Sequence, residues 1–264
     1  MQLPPAANPI GSSFIELQSV DSTNKYAMSL VHEARLPDGQ GMVQHGTAIF
    51  AHEQTKGKGQ WGKNWSSEKG ANIALSLIIN PSPLTLTEQF KLSMCVAVSV
   101  CKFFSLYAGD ETKIKWPNDI YWRDRKAGGV LIENIVLGQE SGVAGWEYSV
   151  IGIGININQT IFSKDLPNPV SLKQITGGNF KSVELAKKLC HVFDINFQLL
   201  VSGKFEQLFT FYQHHLYKKD EKVKLKKGSR VFEALIKGVA DSGQLITQHS
   251  IEERFDFGEV EWLR

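Results

Sequence analysis

Glycine and lysine interleave in Gly57-Lys58-Gly59-Gln60-Trp61-Gly62-Lys63-Asn64-Trp65. Glycine lets backbone N–H groups close on phosphate oxygens and lysine supplies charge, so the segment suits a phosphate cradle. A solvated surface hairpin would have the same composition. Trp61 and Trp65 favour the cradle, because exposed indoles in a glycine loop need a cover and an adenine ring supplies one by stacking. Neither GKS nor GKT follows, which excludes a Walker A loop.

Three further segments carry polar groups where chemistry could use them. Lys115-Trp116-Pro117-Asn118-Asp119 ends an apolar run at a proline and places Asn118 and Asp119 on a turn, where both residue types are also common for structural reasons. Lys126 stands just ahead of Gly128-Gly129 and an apolar run, so its ammonium is held near a sheet and a ligand anion, or is a solvated turn lysine. In GIGININ (152–158) glycine alternates with isoleucine, which puts Gly152, Gly154, Asn156 and Asn158 on one strand face. Strand glycines mark close approach of a ligand or another backbone, and helix packing is the alternative. GxGxxG is absent, so this is not a dinucleotide fingerprint.

Other chemistries lack their residues. The seven histidines (His32, His45, His52, His191, His214, His215 and His249) accompany no GxSxG elbow. Cys95, Cys101 and Cys190 form no CxxC and no zinc spacing, and read as reduced core residues. The start MQLPPAANPIGSSF has neither the charged nor the apolar region of a signal peptide, and Lys102 interrupts the longest apolar run, Met94 to Phe104. A cytoplasmic protein that neither enters nor spans a membrane is expected. With 29 Lys+Arg against 27 Asp+Glu, the net charge of +2 leaves little surplus for a nucleic-acid face. The 42% hydrophobic content is that of a core-forming globular chain of 264 residues.

The elements that must position these groups follow from periodicity. A helix is predicted over 23–34, with Asp21 or Ser22 as its cap. Apolar runs at 47–54 and 72–80 read as strands joined by the glycine loop. A buried helix opens at Thr87, closes near Gly109 and crosses the sheet. TKIKW, DIYWR, GGVLIENIVL and WEYSVIGIGINI, punctuated by Pro117, Asp124, Gly128-Gly129 and Gly142 to Gly145, read as consecutive antiparallel strands. Amphipathic helices in SVELAKKLCHVFDINFQLL and FEQLFTFYQHHLY pack outside the sheet. From Asp220 short alternating segments broken by glycines form a small all-β module of about 45 residues, with Lys218 and Lys219 as hinge.

DSTN (21–24), QTKGKGQWGKNW (54–65), KWPNDI with KAGGVLIE (115–133) and GIGININ (152–158), in that order, resemble the biotin protein ligase family. DSGQL followed by FGEVEW resembles that family's C-terminal ending. The resemblance implies an α+β fold: a mixed, largely antiparallel sheet with helices, related to class II aminoacyl-tRNA synthetases and lipoate ligases, over 1–217, and a small SH3-like β-barrel over 218–264. It implies activation of biotin with ATP to biotinyl-5′-AMP, then transfer to a lysine of a biotin carboxyl carrier protein of acetyl-CoA carboxylase or a related carboxylase. Lipoate–protein ligase and a non-catalytic biotin-binding regulator are the alternatives.

Carried over by motif, Ser22, Thr23, Asn24 and Gln54 would hold the polar end of biotin, with Lys58, Gly59, Gln60, Lys126 and Gly128 completing the biotin side. Lys58, Lys63, Trp65, Asn118, Asp119, Lys126 and Asn156 would serve ATP, with Trp65 on adenine. Lys126 and Asp119 would be catalytic; Mg²⁺ is implied with ATP, its protein ligands unassigned. The resemblance is to the enzyme-only kind, without a DNA-binding domain, and leaves a homodimer open. The family's loop is usually GRGRxGR; here Lys58, Gln60 and Lys63 stand where arginines are usual, which loses bidentate geometry and, at Gln60, charge.

Overall fold

The computed structural model describes residues 8–36, 43–136 and 145–263. The Pro-rich first seven residues, most of the turn read at 142–145 and the side chain of Trp61 lie outside the described set. In chain order the elements are β1 (Phe14–Leu17), α1 (Thr23–Ala34), β2 (Thr47–Ala51), β3 (Ile73–Ile79), α2 (Gln89–Ala108), β4 (Thr112–Lys115), β5 (Asp119–Trp122), β6 (Arg125–Val136) and β7 (Trp146–Ile155). There follow α3 (Leu172–Thr176), α4 (Ser182–Val201), α5 (Phe205–His214), β8 (Lys222–Lys227), β9 (Arg230–Val239), β10 (Leu245–Gln248), β11 (Glu252–Phe255) and β12 (Glu261–Leu263).

β2 and β3 are buried along their whole length, as continuous β-branched and aliphatic runs require. They sit inside a seven-stranded sheet of order β1-β2-β3-β7-β6-β5-β4. Only the β1–β2 pair is parallel, so the sheet is mixed and largely antiparallel, as expected. One face carries the main core, to which α2, α4 and residues of α5 contribute. By length and composition Leu86–Ala108 could cross a membrane, but most of it is buried in this core, as befits a central helix apolar on most sides. The opposite face carries α1, whose Ala27 and Val31 pack on Ile49, Ile78 and Val150.

The C-terminal segment departs from the expected barrel. It is a five-stranded antiparallel sheet of order β11-β10-β9-β8-β12, and among the described residues no ladder joins the edge strands β11 and β12. Ile236, Val239 and Leu245 of this sheet belong to the main core. The Trp116 indole donates to the Gly243 carbonyl at 2.9 Å, and Gln213 bonds both the N–H and the carbonyl of Val239. Lys218 and Asp220, at the hinge, have positive φ.

Candidate active site

The cavity lies on the α1 face of the sheet, where small residues replace large ones. In register across β3, β7 and β6 stand Ser76, Gly152 and Leu131, and two residues further along Ala74, Gly154 and Gly129. Gly152 and Gly154 point away from the main core, and the space they leave is filled by other side chains. A Cβ on Gly152 would stand 2.3 Å from Asn24 Oδ1, and one on Gly154 would stand 2.5 Å from the Trp65 ring. The close approach read in the sequence is thus made by the chain's own Asn24 and Trp65. Above this floor is a cavity of about 240 Å³.

Its polar end is built by the start of α1. Ser22 occupies the N-cap position with extended backbone (φ −156°, ψ 132°), yet its hydroxyl makes no capping bond. Asp21, held below the usual carboxylate range by its hydrogen bond from Lys25, accepts the Ser22 N–H instead. Gln54 Oε1 accepts the Thr23 N–H at 2.8 Å and stands 3.1 Å from the Thr23 hydroxyl. The wholly buried Ser76 hydroxyl lies 2.8 Å from Thr23 Oγ1 and 2.6 Å from Asn24 Oδ1. Asn24 Nδ2 donates to Glu133 Oε2 at 2.8 Å. The three buried side chains Thr23, Asn24 and Ser76 thereby bond one another and the half-buried Gln54 and Glu133, as buried hydrogen-bonding groups must be satisfied.

One register step along β7, about 7 Å, is the charged end. Lys126 Nζ donates to Asp119 Oδ2 at 2.7 Å, both side chains being about three-tenths exposed. The pair rests over Gly129, where a Cβ would meet Asp119 Oδ1 at 3.0 Å. The Lys126 backbone is fixed on both sides, its N–H to Asn168 O and its carbonyl to the Val170 N–H. A preorganised cation in a recess suits developing negative charge.

The glycine loop closes over both ends. Trp65 N bonds Gly57 O, Gly59 N bonds Lys63 O, and Lys58 bridges to Asn64, so the loop folds as a tight hairpin around a short 3₁₀ turn at Gln60–Gly62. The Gln60 amide nitrogen donates to Val130 O at 3.0 Å and to Asn118 Oδ1 at 3.1 Å. Lys58 reaches within 3.9 Å of Glu133 Oε1. Trp65 Nε1 is buried with no partner.

Of the residues singled out in the sequence, Ser22, Thr23, Asn24, Gln54, Lys58, Gly59, Gln60, Lys63, Trp65, Asp119, Lys126 and Asn156 line this one cavity. Gly128 does not; a Cβ there would meet Gly154 O at 2.8 Å, so it serves the β6–β7 pairing and Gly129 takes its place on the cavity wall. Asn118 is buried and lines an adjoining cavity that also touches Gln60 and Leu131. Asn156 spends its amide on the carbonyls of Lys126 and Val170, and Asn158 is bonded to Phe180 away from the site. Ser76 and Glu133 had no assigned part. A lone serine in the apolar run IALSLII was the available signal, since a buried hydroxyl needs a partner.

Comparisons with known proteins bear on the family and the fold. The model of the biotin/lipoate A/B protein ligase family matches residues 17–156. The bifunctional ligase/repressor BirA of Bacillus spizizenii is 29% identical over 252 residues, covering 92% of this chain and 72% of that protein. A biotin–[acetyl-CoA-carboxylase] ligase of Paracoccus denitrificans is 26% identical over 236 residues, covering 87% and 92%. The structure of biotin protein ligase from Aquifex aeolicus in complex with biotin and ATP superposes with a TM-score of 0.78 at 25% identity, covering 96% of this chain and 99% of that one. The family match spans more than half of the sequence and takes in the α1 start, the glycine loop and the Lys126 strand, so the chain belongs to the biotin/lipoate A/B protein ligase family.

Proposed function

We propose that this protein activates biotin with ATP and transfers it to a lysine of a biotin carboxyl carrier protein. The observation that carries the reading is the order of surfaces in one cavity: a hydroxyl–amide cluster, an aliphatic wall at Leu131, then Lys126 one register step on. A small acid with a polar ring and an apolar tail fits that order, its carboxylate ending at the cation. In the first step a carboxylate oxygen forms a bond to the α-phosphorus and the bond to pyrophosphate breaks. Lys126 offsets the charge gathered between the two anions. In the second, the acceptor amine attacks the acyl carbon, AMP leaves, and Asp119 orients the incoming ammonium or takes its proton. Lys58, Lys63 and Trp65 serve the nucleotide. Asn156, whose amide donates to the carbonyls of Lys126 and Val170, and Asn118, whose Oδ1 accepts from Gln60, support that side.

Mg²⁺ would enter with the nucleotide. Among the described residues no three His, Cys, Asp or Glu side chains gather to hold a metal, and Asp119 is the carboxylate lining the cavity, a donor set suited to an ion held mainly by phosphate oxygens. The three cysteines are free and buried; burial pushes Cys101 and Cys190 up to about 12, in keeping with inert thiols and a cytoplasmic setting. Residues 1–217 would hold the catalytic site and 218–264 the smaller module. The test is biotin-dependent exchange of labelled pyrophosphate into ATP, followed by label transfer to a carrier domain. Exchange driven by lipoate and not by biotin would overturn the reading.

A further inference from the structure

The turn at 116–118 is gripped by several elements at once. Trp116, a buried residue, donates its indole N–H to the Gly243 carbonyl of the C-terminal sheet at 2.9 Å, and Asn118 Oδ1 accepts the Gln60 amide of the glycine loop at 3.1 Å. Asp119 follows, opening β5 and meeting Lys126. Between Trp116 and Asn118, the Pro117 carbonyl accepts the Tyr212 hydroxyl at 2.8 Å. Tyr212 stands on α5, outside both cavities and beyond residues 17–156, which the family model matches.

This bond does more than satisfy the core. α5 reads FEQLFTFYQH, so its other aromatic residues are Phe205, Phe209 and Phe211, and the hydroxyl falls at the position that reaches the turn. Tyr212 is wholly buried, and a buried phenol costs free energy unless its O–H is bonded, a demand that phenylalanine would not make. Burial pushes its pKa up, so the group stays a donor. Phe90 packs on its ring edge-to-face at 6.1 Å and is itself backed by Gly243, where a Cβ would stand 2.5 Å from the Phe90 ring. A peptide unit is rigid and planar, so a bond on the Pro117 oxygen fixes the plane that carries the Asn118 nitrogen, and with it the direction in which the chain enters Asn118 and Asp119. Lys126 has its own backbone anchors at Asn168 and Val170. The hydroxyl therefore bears on Asp119 rather than on Lys126.

We infer that Tyr212 is a positioning residue that holds the Asp119 carboxylate at the cavity through the Pro117 carbonyl. Its role rests on the ligase reading and on the part given there to Asp119 in the transfer step.

The test separates the two half-reactions on the full chain. In Tyr212→Phe, single-turnover transfer from preformed biotinyl-AMP to a carrier domain should fall at least about tenfold, since misplacing a reacting group by about 1 Å can cost about a hundredfold. Adenylation kcat should stay within about threefold, with KM for biotin unchanged, because Lys126 and the α1 end keep their anchors. In an Asp119→Asn background the same substitution should slow transfer by less than about twofold more, because residues that act through one another are not additive. A merely structural role would lower both half-reactions and would add to Asp119→Asn. Phe90→Leu loosens the seat of the ring with the hydroxyl kept and should give a smaller loss on the same step, which covers the case of a Tyr212→Phe chain that does not fold. Unchanged transfer in the folded variants, an equal fall in both half-reactions, or full additivity with Asp119→Asn would overturn the inference while leaving the ligase reading intact. A wild-type chain that neither adenylates biotin nor transfers it would overturn both.

Discussion

The two faces of β7 make different uses of one strand. Ile151, Ile153 and Ile155 enter the helix-covered core with little or no exposure, whereas Gly152 and Gly154 point the other way and leave room for Asn24 and Trp65. On the first face the strand supplies volume; on the second it supplies the absence of volume. Because strand side chains alternate, positions one residue apart should separate stability from ligand recognition under mutation.

The sharpest break between the faces is expected at the charged end. Lys126→Ala should lower single-turnover adenylation by about 10²–10³ or more, while its unfolding free energy stays within about 0.5 kcal/mol of wild type. Unchanged adenylation would remove this face from the chemistry. Next in size is the adjacent pair on β7. Ile151→Ala should cost about 2–5 kcal/mol in urea unfolding with biotin affinity kept. Gly152→Ala, with its Cβ 2.3 Å from Asn24 Oδ1, should weaken biotin about tenfold, or about 1.4 kcal/mol, at a smaller cost in stability. Equal destabilisation by both would erase the distinction.

Gln60 sharpens the comparison on the cavity side. Its amide donates to Val130 O and Asn118 Oδ1, so it gives an anionic ligand no charged contact. An arginine there could add charge-assisted bonds worth about 1.4 kcal/mol more than an amide's, a factor of about ten. Gln60→Arg should slow dissociation of biotinyl-AMP by that factor, measured without acceptor; equal or faster release refutes the idea. The smallest effect belongs to the core side. His45 packs against Phe197, its Nδ1 accepts the Asn80 N–H, its Nε2 is buried without a partner, and burial holds its pKa below the ordinary value. Below about pH 6.5 the unfolded chain takes up the proton first. Stability should therefore be level above that pH and decline beneath it, and His45→Gln should flatten the decline in urea midpoints.

The core face was the more legible in the sequence. Long apolar runs gave α2, β2 and β3 directly, and α1 ends where its pattern ends. β1 escaped because four residues, FIEL, three of them half-buried and Glu16 exposed, pair in parallel with β2 and carry no periodicity of their own. α3 is a single five-residue turn, too short for a helical repeat. The expected barrel came from resemblance, while the ladders end in two unjoined edges. On the cavity face, most residues of the compact motifs line one cavity, Gly128 and Asn118 apart, but the contacts that Asn24 makes with Ser76 and Glu133 depend on three strands meeting in register, which composition cannot express. Gly128 and Gly129 were indistinguishable in the sequence; strand alternation sends only the second to the cavity.

The small C-terminal sheet plugs into the larger one through the Trp116 indole and through Ile236, Val239 and Leu245, which share the main core. A module of about 45 residues has little core of its own, so heat should melt the two sheets in a single cooperative transition rather than in sequence. A chain cut after residue 217 would expose the apolar seat of those three side chains. Loss of activity in such a fragment would then report aggregation and unfolding of the larger part, and only point substitutions on the outer strands could reveal what the small sheet itself contributes.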